Sequence, residues 1–534
     1  MERLLKFIMV FAFGVTAFFS CKKVDLSKVA LGEWNPNLAI PLAHSVFDVY
    51  DVFAYTDPSD LIVIDPNSGM MALVYTSDVA SITGSQFVNI NDFSQTRNLS
   101  LNTLGGTPAP NFSQTLSYNN SETIDFNFND GAQVKEFKFD NGNFDVSINS
   151  TFQHPVMVNV NIPSLKKNGT PFYQSITIPA GSSSSMNEAL AGYIADFTLN
   201  NTTFNKLKID YNIVVNGNGN AVSSSDQVSL NFNFSTIEMD YAKGFFGTRA
   251  LNIYEDSVLL KIYQGVEEGY FELVDPRVTF FVNNSFGMPV TLNLNQIKSI
   301  NINSGQVLNL LGYTQTHVLN TPTVIGDSAF TAIFFDKNNT NNLQQVVTPA
   351  PKYVTFDATA LTNPNGNTGI DNFVSKHSKI HIKSEVELPL HGLAHSFKVR
   401  DTVDFSSPSE SENLKSVMFR IITDNGFPIN VLTKLRFLNE NYQEVFVVDK
   451  TGANDLIVES AQVNAQGKSS ANTKKITDIV LNQAQMNVLD NVKYIEIYGE
   501  ANTKDFQSGK TIKIYDTYKL GLKLSVQFEA KVKL

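Results

Sequence analysis

The chain has 534 residues, 42% of them hydrophobic and only 17% charged, with a formal net charge of -11 and a pI near 5.2. That length holds several cores, and an acidic chain without a basic stripe is poorly suited to phosphate backbones. The single cysteine excludes an intrachain disulfide and a Cys-based zinc site.

Residues 1–20 read as an export signal. Arg3 and Lys6 supply the positive start and Phe7–Phe19 the apolar stretch. The stretch is shorter than the roughly 20 residues a spanning helix needs. Ser20 stands directly before Cys21, which resembles the lipobox of bacterial lipoproteins, with Phe18 and Phe19 in place of the usual Leu-Ala pair. The resemblance implies that Cys21 is lipidated and becomes the mature N-terminus, followed by a short tether over 21–32. Lys22 and Lys23 resemble outer-membrane sorting, and Asp25 alone fits a surface-export tag, so the face of the membrane stays open, with the cell surface favoured. No later run approaches the length of a spanning helix, so a body outside the cytoplasm is expected.

The body alternates with period two. In Gln227–Ser235, Val228, Leu230, Phe232 and Phe234 share one face and Ser229, Asn231 and Asn233 the other; Thr123–Asn129 and Val156–Ile162 repeat the pattern. Asn141-Gly142, Asn216–Asn220 and Asn363–Gly369 read as turns. Short helices are expected only at Ser184–Asp196 and Leu481–Leu489. Leu520–Leu534 alternates throughout and would span about 50 Å at ~3.3 Å per residue, either bending between two sheets or running along an elongated sandwich. Transmembrane barrel strands also alternate, but the Asn-rich polar faces argue for a sandwich. The expected fold is all-β, with several antiparallel, Ig-like β-sandwich modules in an elongated body.

A repeat supports this division. Asn149–Pro155 (NSTFQHP), Asn283–Pro289 (NNSFGMP) and a shortened Asp424–Pro428 (DNGFP) each precede an alternating strand, and their prolines stand 134 and 139 residues apart. Ile40-Pro41-Leu42 and Leu388-Pro389-Leu390 form a second similarity. The spacing suits sandwich domains, giving an N-terminal β region at 33–110 and modules at 111–245, 246–376 and 377–534. The lipobox, the Trp34-Asn35-Pro36 start with its Ile-Pro-Leu strand, and the Phe-Pro repeat together resemble large outer-membrane lipoproteins of Bacteroidota. Asp256-Ser257-Val258, Asp327-Ser328-Ala329 and Asp401-Thr402-Val403 resemble the O-glycosylation sequon of that group, which makes Ser257, Ser328 and Thr402 candidate acceptors.

Chemistry-bearing patterns are weak. His377, His381, His391 and His395 include ligand-type side chains within nineteen positions, but the alternation of Ile380, Ile382, Val386 and Leu388 places His381, Lys383, Glu385 and Glu387 on a wet strand face, and Lys383 would repel a cation. Gly326-Asp327-Ser328 resembles an esterase nucleophile block without the elbow or the partner histidine, and reads as a hairpin turn. Asn363–Asn372 has oxygen donors for calcium but one carboxylate, Asp371, and reads as a polar turn. Trp34 reads as a packing residue of the first strand rather than a sugar platform. No catalytic residue and no cofactor are expected. The leading expectation is a non-enzymatic, lipid-anchored outer-membrane protein that contacts an outer-membrane protein partner, with no role for nucleic acid. Glycan binding is the alternative, supported by 18 tyrosines and weakened by a single tryptophan; lipid carriage within an elongated sandwich ranks below it.

Overall fold

The computed structural model of the chain describes residues 37–50, 62–84, 87–88, 90–128, 131–260, 268–301, 304–347, 353–404, 414–449 and 456–530. Cys21, Trp34 and the tether lie outside the described residues. The described chain is all-β and every strand pairing in it is antiparallel, as the period-two alternation requires. Its two α-helices, Leu343–Val347 and Gln483–Asn487, are one turn each.

The strands pair into three sandwiches. In the first, Thr115–Asp125, Lys206–Asn216, Val156–Lys167 and Thr170–Ile178 lie side by side against a second layer of Phe93–Ser100, Gln227–Phe245, Gln133–Ser150 and Ser183–Ala189. Ile194–Asp196 pairs with both layers and joins them. Alternation turns large side chains into the gap: Phe144 meets Phe172 across it with ring centroids 5.3 Å apart, and Phe232 meets Tyr211 at 5.7 Å. In the second sandwich, the layer Ala329–Phe335, Arg277–Asn284, Lys379–Pro389, Met71–Thr83, Ile62–Ile64 faces Ala250–Leu259, Tyr353–Thr362 and Val290–Ile300. Phe280 and Phe356 meet edge-on between them at 4.8 Å. In the third, the layer Asn37–Asp48, Lys519–Ala530, Leu414–Asn425, Thr473–Leu481 packs Ile421, Ile479 and Leu522 against Val448 and Ile457 of the layer that contains His391–Asp404, Tyr494–Thr503, Ile429–Leu438 and Glu444–Asp449.

These cores do not follow contiguous segments. The stretch 33–110 supplies Asn37–Asp48 to the third sandwich, Met71–Thr83 to the second and Phe93–Ser100 to the first. Glu268–Leu273 pairs in the third, and Asn372–Ser375 extends the first.

The Phe-Pro repeat is the crossing from one layer to the other, once in each sandwich. It connects Gln133–Ser150 to Val156–Lys167, Arg277–Asn284 to Val290–Ile300, and Leu414–Asn425 to Ile429–Leu438. A side-chain oxygen at the strand's last residue accepts from the phenylalanine N–H two residues on: Ser150 to Phe152 at 3.3 Å, Asn284 to Phe286 at 3.0 Å, Asn425 to Phe427 at 2.9 Å. This Asx-type turn lifts the chain out of its sheet, and the buried ring plugs the gap it leaves. The capping residue is thus one position later than the Asn149, Asn283 and Asp424 that open the motif in sequence. At Gly287 the Asn372–Ser375 strand approaches so closely that an added Cβ would lie 2.1 Å from the Phe373 ring.

Two local expectations are corrected, and of the two paths left open for the final strand one is observed. Ser184–Asp196 is not helical: Ser183–Ala189 pairs with Asn143–Asn149 and turns Met186 inward, and Ile194–Asp196 is also a strand. Asn141-Gly142 is not a turn between strands: it lies inside the continuous Gln133–Ser150 strand, with Gly142 at φ 141° opposite a bulge that the partner strand makes between Ser235 and Glu238. The final strand, described as Lys519–Ala530, stays in one sheet, held on both sides by Asn37–Asp48 and Leu414–Asn425. The helix expected at Leu481–Leu489 is present as Gln483–Asn487, started by an Asn482–Gln485 capping box. No helix among the described residues is long and apolar enough to cross a membrane.

Candidate functional site

The outward face of the second sandwich carries an unusual mixture. Ala329–Phe335 is the edge strand of its sheet, and its sequence AFTAIFF is apolar on both faces. Ile333 and Phe335 point into the core, whereas Phe330 and Phe334 are 59% and 62% exposed. On the neighbouring strand Phe281 stacks on Phe330, with centroids 5.9 Å apart and rings within 22° of parallel. Val318 and Val324, also exposed, precede this strand in the chain. Asn320 donates to the Phe330 carbonyl and Asn339 to that of Phe334, each at 2.7 Å, so amide side chains occupy the edge where another strand would add.

Cross-strand register fixes what lies beside the rings. Thr279 stands between Phe334 and Glu385, Phe281 between Ala332 and Lys383, and Asn283 between Phe330 and His381. One strand further lie Thr76, Asp78 and Ser81. His381 Nε2 is 3.1 Å from Asp78 Oδ1. Arg277 bridges Glu387 at 3.2 Å and Asp275 at 2.9 Å, and Lys337 approaches Asp275 at 3.5 Å. Burial, reinforced by the adjacent Glu387 and opposed by Lys383, raises the Glu385 carboxyl above its ordinary range. The result is an apolar strip bordering a ladder of both charge signs, a composition that suits a contact surface with a wet rim.

The four histidines go to different surroundings. His377 is exposed in the turn between Asn372–Ser375 and Lys379–Pro389, and His381 lies on the wet face that the alternation of Ile380, Ile382, Val386 and Leu388 implies. His391 belongs to the third sandwich, where burial and then Lys513 and Lys337 hold its imidazole below the ordinary range. His395 is stacked between Tyr270 and Phe506, at 5.0 and 5.1 Å. Among the described residues no group of three or more His, Cys, Asp or Glu is placed to hold a metal ion. Asp371, the carboxylate of the Asn363–Asn372 loop, instead bonds Lys135 at 2.7 Å. Ser328 is exposed in the loop before the edge strand; Ser257 is half-buried in a strand opposite Thr355, and Thr402 lies in a strand opposite Glu496.

Sequence reasoning missed Phe330 and Phe334. The available signal was a strand with phenylalanine on both faces, where alternation predicts one polar face.

No protein-family model and no curated protein matches the chain. Among solved structures, a protein described as secreted, from Parabacteroides distasonis, is similar over 54% of this chain and 88% of its own, at 12% identity and a TM-score of 0.31. A triple jelly-roll protein of an archaeal virus matches over 82% and 95% at 12% identity, TM-score 0.12. The CBM22-1–CBM22-2 tandem domain of Paenibacillus barcinonensis Xyn10C matches over 59% and 98% at 8% identity, TM-score 0.13. Likeness at these scores does not bear on function.

Proposed function

We propose that the chain is a non-enzymatic lipoprotein, anchored in the outer membrane through Cys21, whose β body acts as a protein-interaction component of a surface or envelope assembly. The observation that carries the reading is the exposed Phe330–Phe281–Phe334 strip beside a mixed charge ladder. A large ring left in water forfeits about 1.5–3 kcal/mol that burial would return, and two such rings on one edge strand, with that edge closed by Asn320 and Asn339, point to docking by the face rather than by strand addition.

The test is mild-detergent purification of the tagged full-length protein from its own envelope. An outer-membrane protein should be retained in stoichiometric amount through a salt wash, because apolar contact is weakly screened, and should be lost by at least tenfold with Phe330→Ser/Phe334→Ser. Cys21→Ser should release the chain from the membrane fraction. Recovery of the wild-type protein alone, or equal retention by the double variant, would contradict the reading.

A further inference from the structure

The hairpin between Ile429–Leu438 and Glu444–Asp449 holds a tyrosine where the backbone disfavours one. Asn439 organises the loop: its Oδ1 accepts from the N–H groups of Asn441 and Gln443, both at 2.9 Å, and its carbonyl accepts from Tyr442 N–H at 3.0 Å. The turn places Tyr442 at φ 58°, a left-handed conformation suited to glycine or asparagine and costly for a bulky side chain. Its ring is nevertheless 62% exposed, so the strain is not repaid by core packing. One face of the ring lies on Tyr494, with centroids 4.4 Å apart and planes within 8° of parallel. Strain of this kind held at the surface is characteristic of recognition sites.

The surroundings define the chemistry. Two residues along the strand from Tyr494, on the same sheet face, Glu496 accepts from Arg436 at 2.5 Å, and Arg436 also donates to Glu444 at 2.9 Å. The exposed amides of Asn441 and Gln443 flank Tyr442 in the loop. Glu440 and Asp404 bring further negative charge toward Tyr494. An acidic rim on a chain of net charge -11 disfavours nucleobases carried on phosphate, and anionic sugars equally. A flat ring beside amide, carboxylate and guanidinium groups offers what a neutral sugar requires: an apolar surface for its C–H face and paired donors and acceptors for its hydroxyls.

We propose that Tyr442 and Tyr494 form a carbohydrate platform that stacks a neutral pyranose, with Asn441, Gln443 and the Arg436–Glu444 pair meeting its hydroxyls. This site is separate from the phenylalanine strip of the second sandwich, and neither reading depends on the other.

The test titrates the detergent-solubilised full-length protein with cellohexaose and xylohexaose, with oligogalacturonate as the anionic control, by calorimetry and saturation-transfer NMR. At least one neutral oligosaccharide should bind, with saturation passing to its ring C–H protons. Tyr442→Gly should weaken that binding at least tenfold without lowering the thermal midpoint, because glycine adopts positive φ without strain. The proposal is overturned if neither neutral oligosaccharide binds the wild type, if oligogalacturonate binds more tightly, or if Tyr442→Gly keeps its affinity. A lowered midpoint with unchanged affinity would assign Tyr442 a purely structural role.

Discussion

Asn425 illustrates how one buried side chain fixes a layer crossing. Its Oδ1 accepts from Phe427 N–H, while its Nδ2 is shared among the carbonyls of Phe427, Ile429 and Glu459 at 2.9–3.0 Å. The residue is 1% exposed, so water cannot replace these partners. Leaving buried groups unpaired costs about 1–3 kcal/mol each. Asn425→Ala should therefore destabilise the third sandwich by roughly 3 kcal/mol or more, and Asn425→Asp by more still, because a carboxylate has no N–H to give the three carbonyls. Urea unfolding of both variants reads this directly, and an aspartate variant as stable as wild type would contradict the assigned bonds. The motif was legible in sequence as a spacing of Phe and Pro. Its working residue was not, because nothing local shows which of two adjacent polar side chains turns inward.

At the scale of elements, alternation was read well wherever one face is wet and the other dry, as in Val156–Lys167 and Lys379–Pro389. It failed where a strand departs from that pattern. The serine-rich Ser183–Ala189 carries a single buried side chain, Met186, and its strand conformation is imposed by pairing with Asn143–Asn149. Asn-Gly at 141–142 carries a turn signal that the neighbouring Gln227–Phe245 strand overrides by pairing on both sides of it, taking the bulge into its own chain between Ser235 and Glu238. Ala329–Phe335 departs in the other direction, with rings on both faces, and is an edge. Because Asn320 and Asn339 occupy its outer carbonyls, Asn320→Ala/Asn339→Ala should uncover a template for strand pairing. Sedimentation should then show self-association absent from the wild type, with the far-UV spectrum unchanged; a double variant that stays monomeric at the same concentration would show that the amides do not guard the edge.

For the molecule as a whole, the pairing of Asn37–Asp48 with Lys519–Ala530 ties together segments almost 500 residues apart in the chain. No periodicity announces such a pairing: each strand's alternation fixes which face is buried, not which distant partner supplies the hydrogen bonds. The candidate site was hidden for the same reason, since the phenylalanine strip joins Phe281 to Phe330 and sets both beside His381 and Lys383 only through register. The histidine group shows the converse: near in sequence, His381 and the His391–His395 pair are sent to different sandwiches by the step at Pro389–His391, and His377 lies in a turn. We propose that this face docks a protein partner at the cell envelope. The most direct measurement is photo-crosslinking in intact cells from a reactive residue placed at 330 or 334, with position 173, on the exposed Tyr173 of the first sandwich, as the control. One discrete crosslinked outer-membrane protein is expected from 330 and 334 and none from 173. No crosslink from 330 or 334, or the same products from 173, would contradict it.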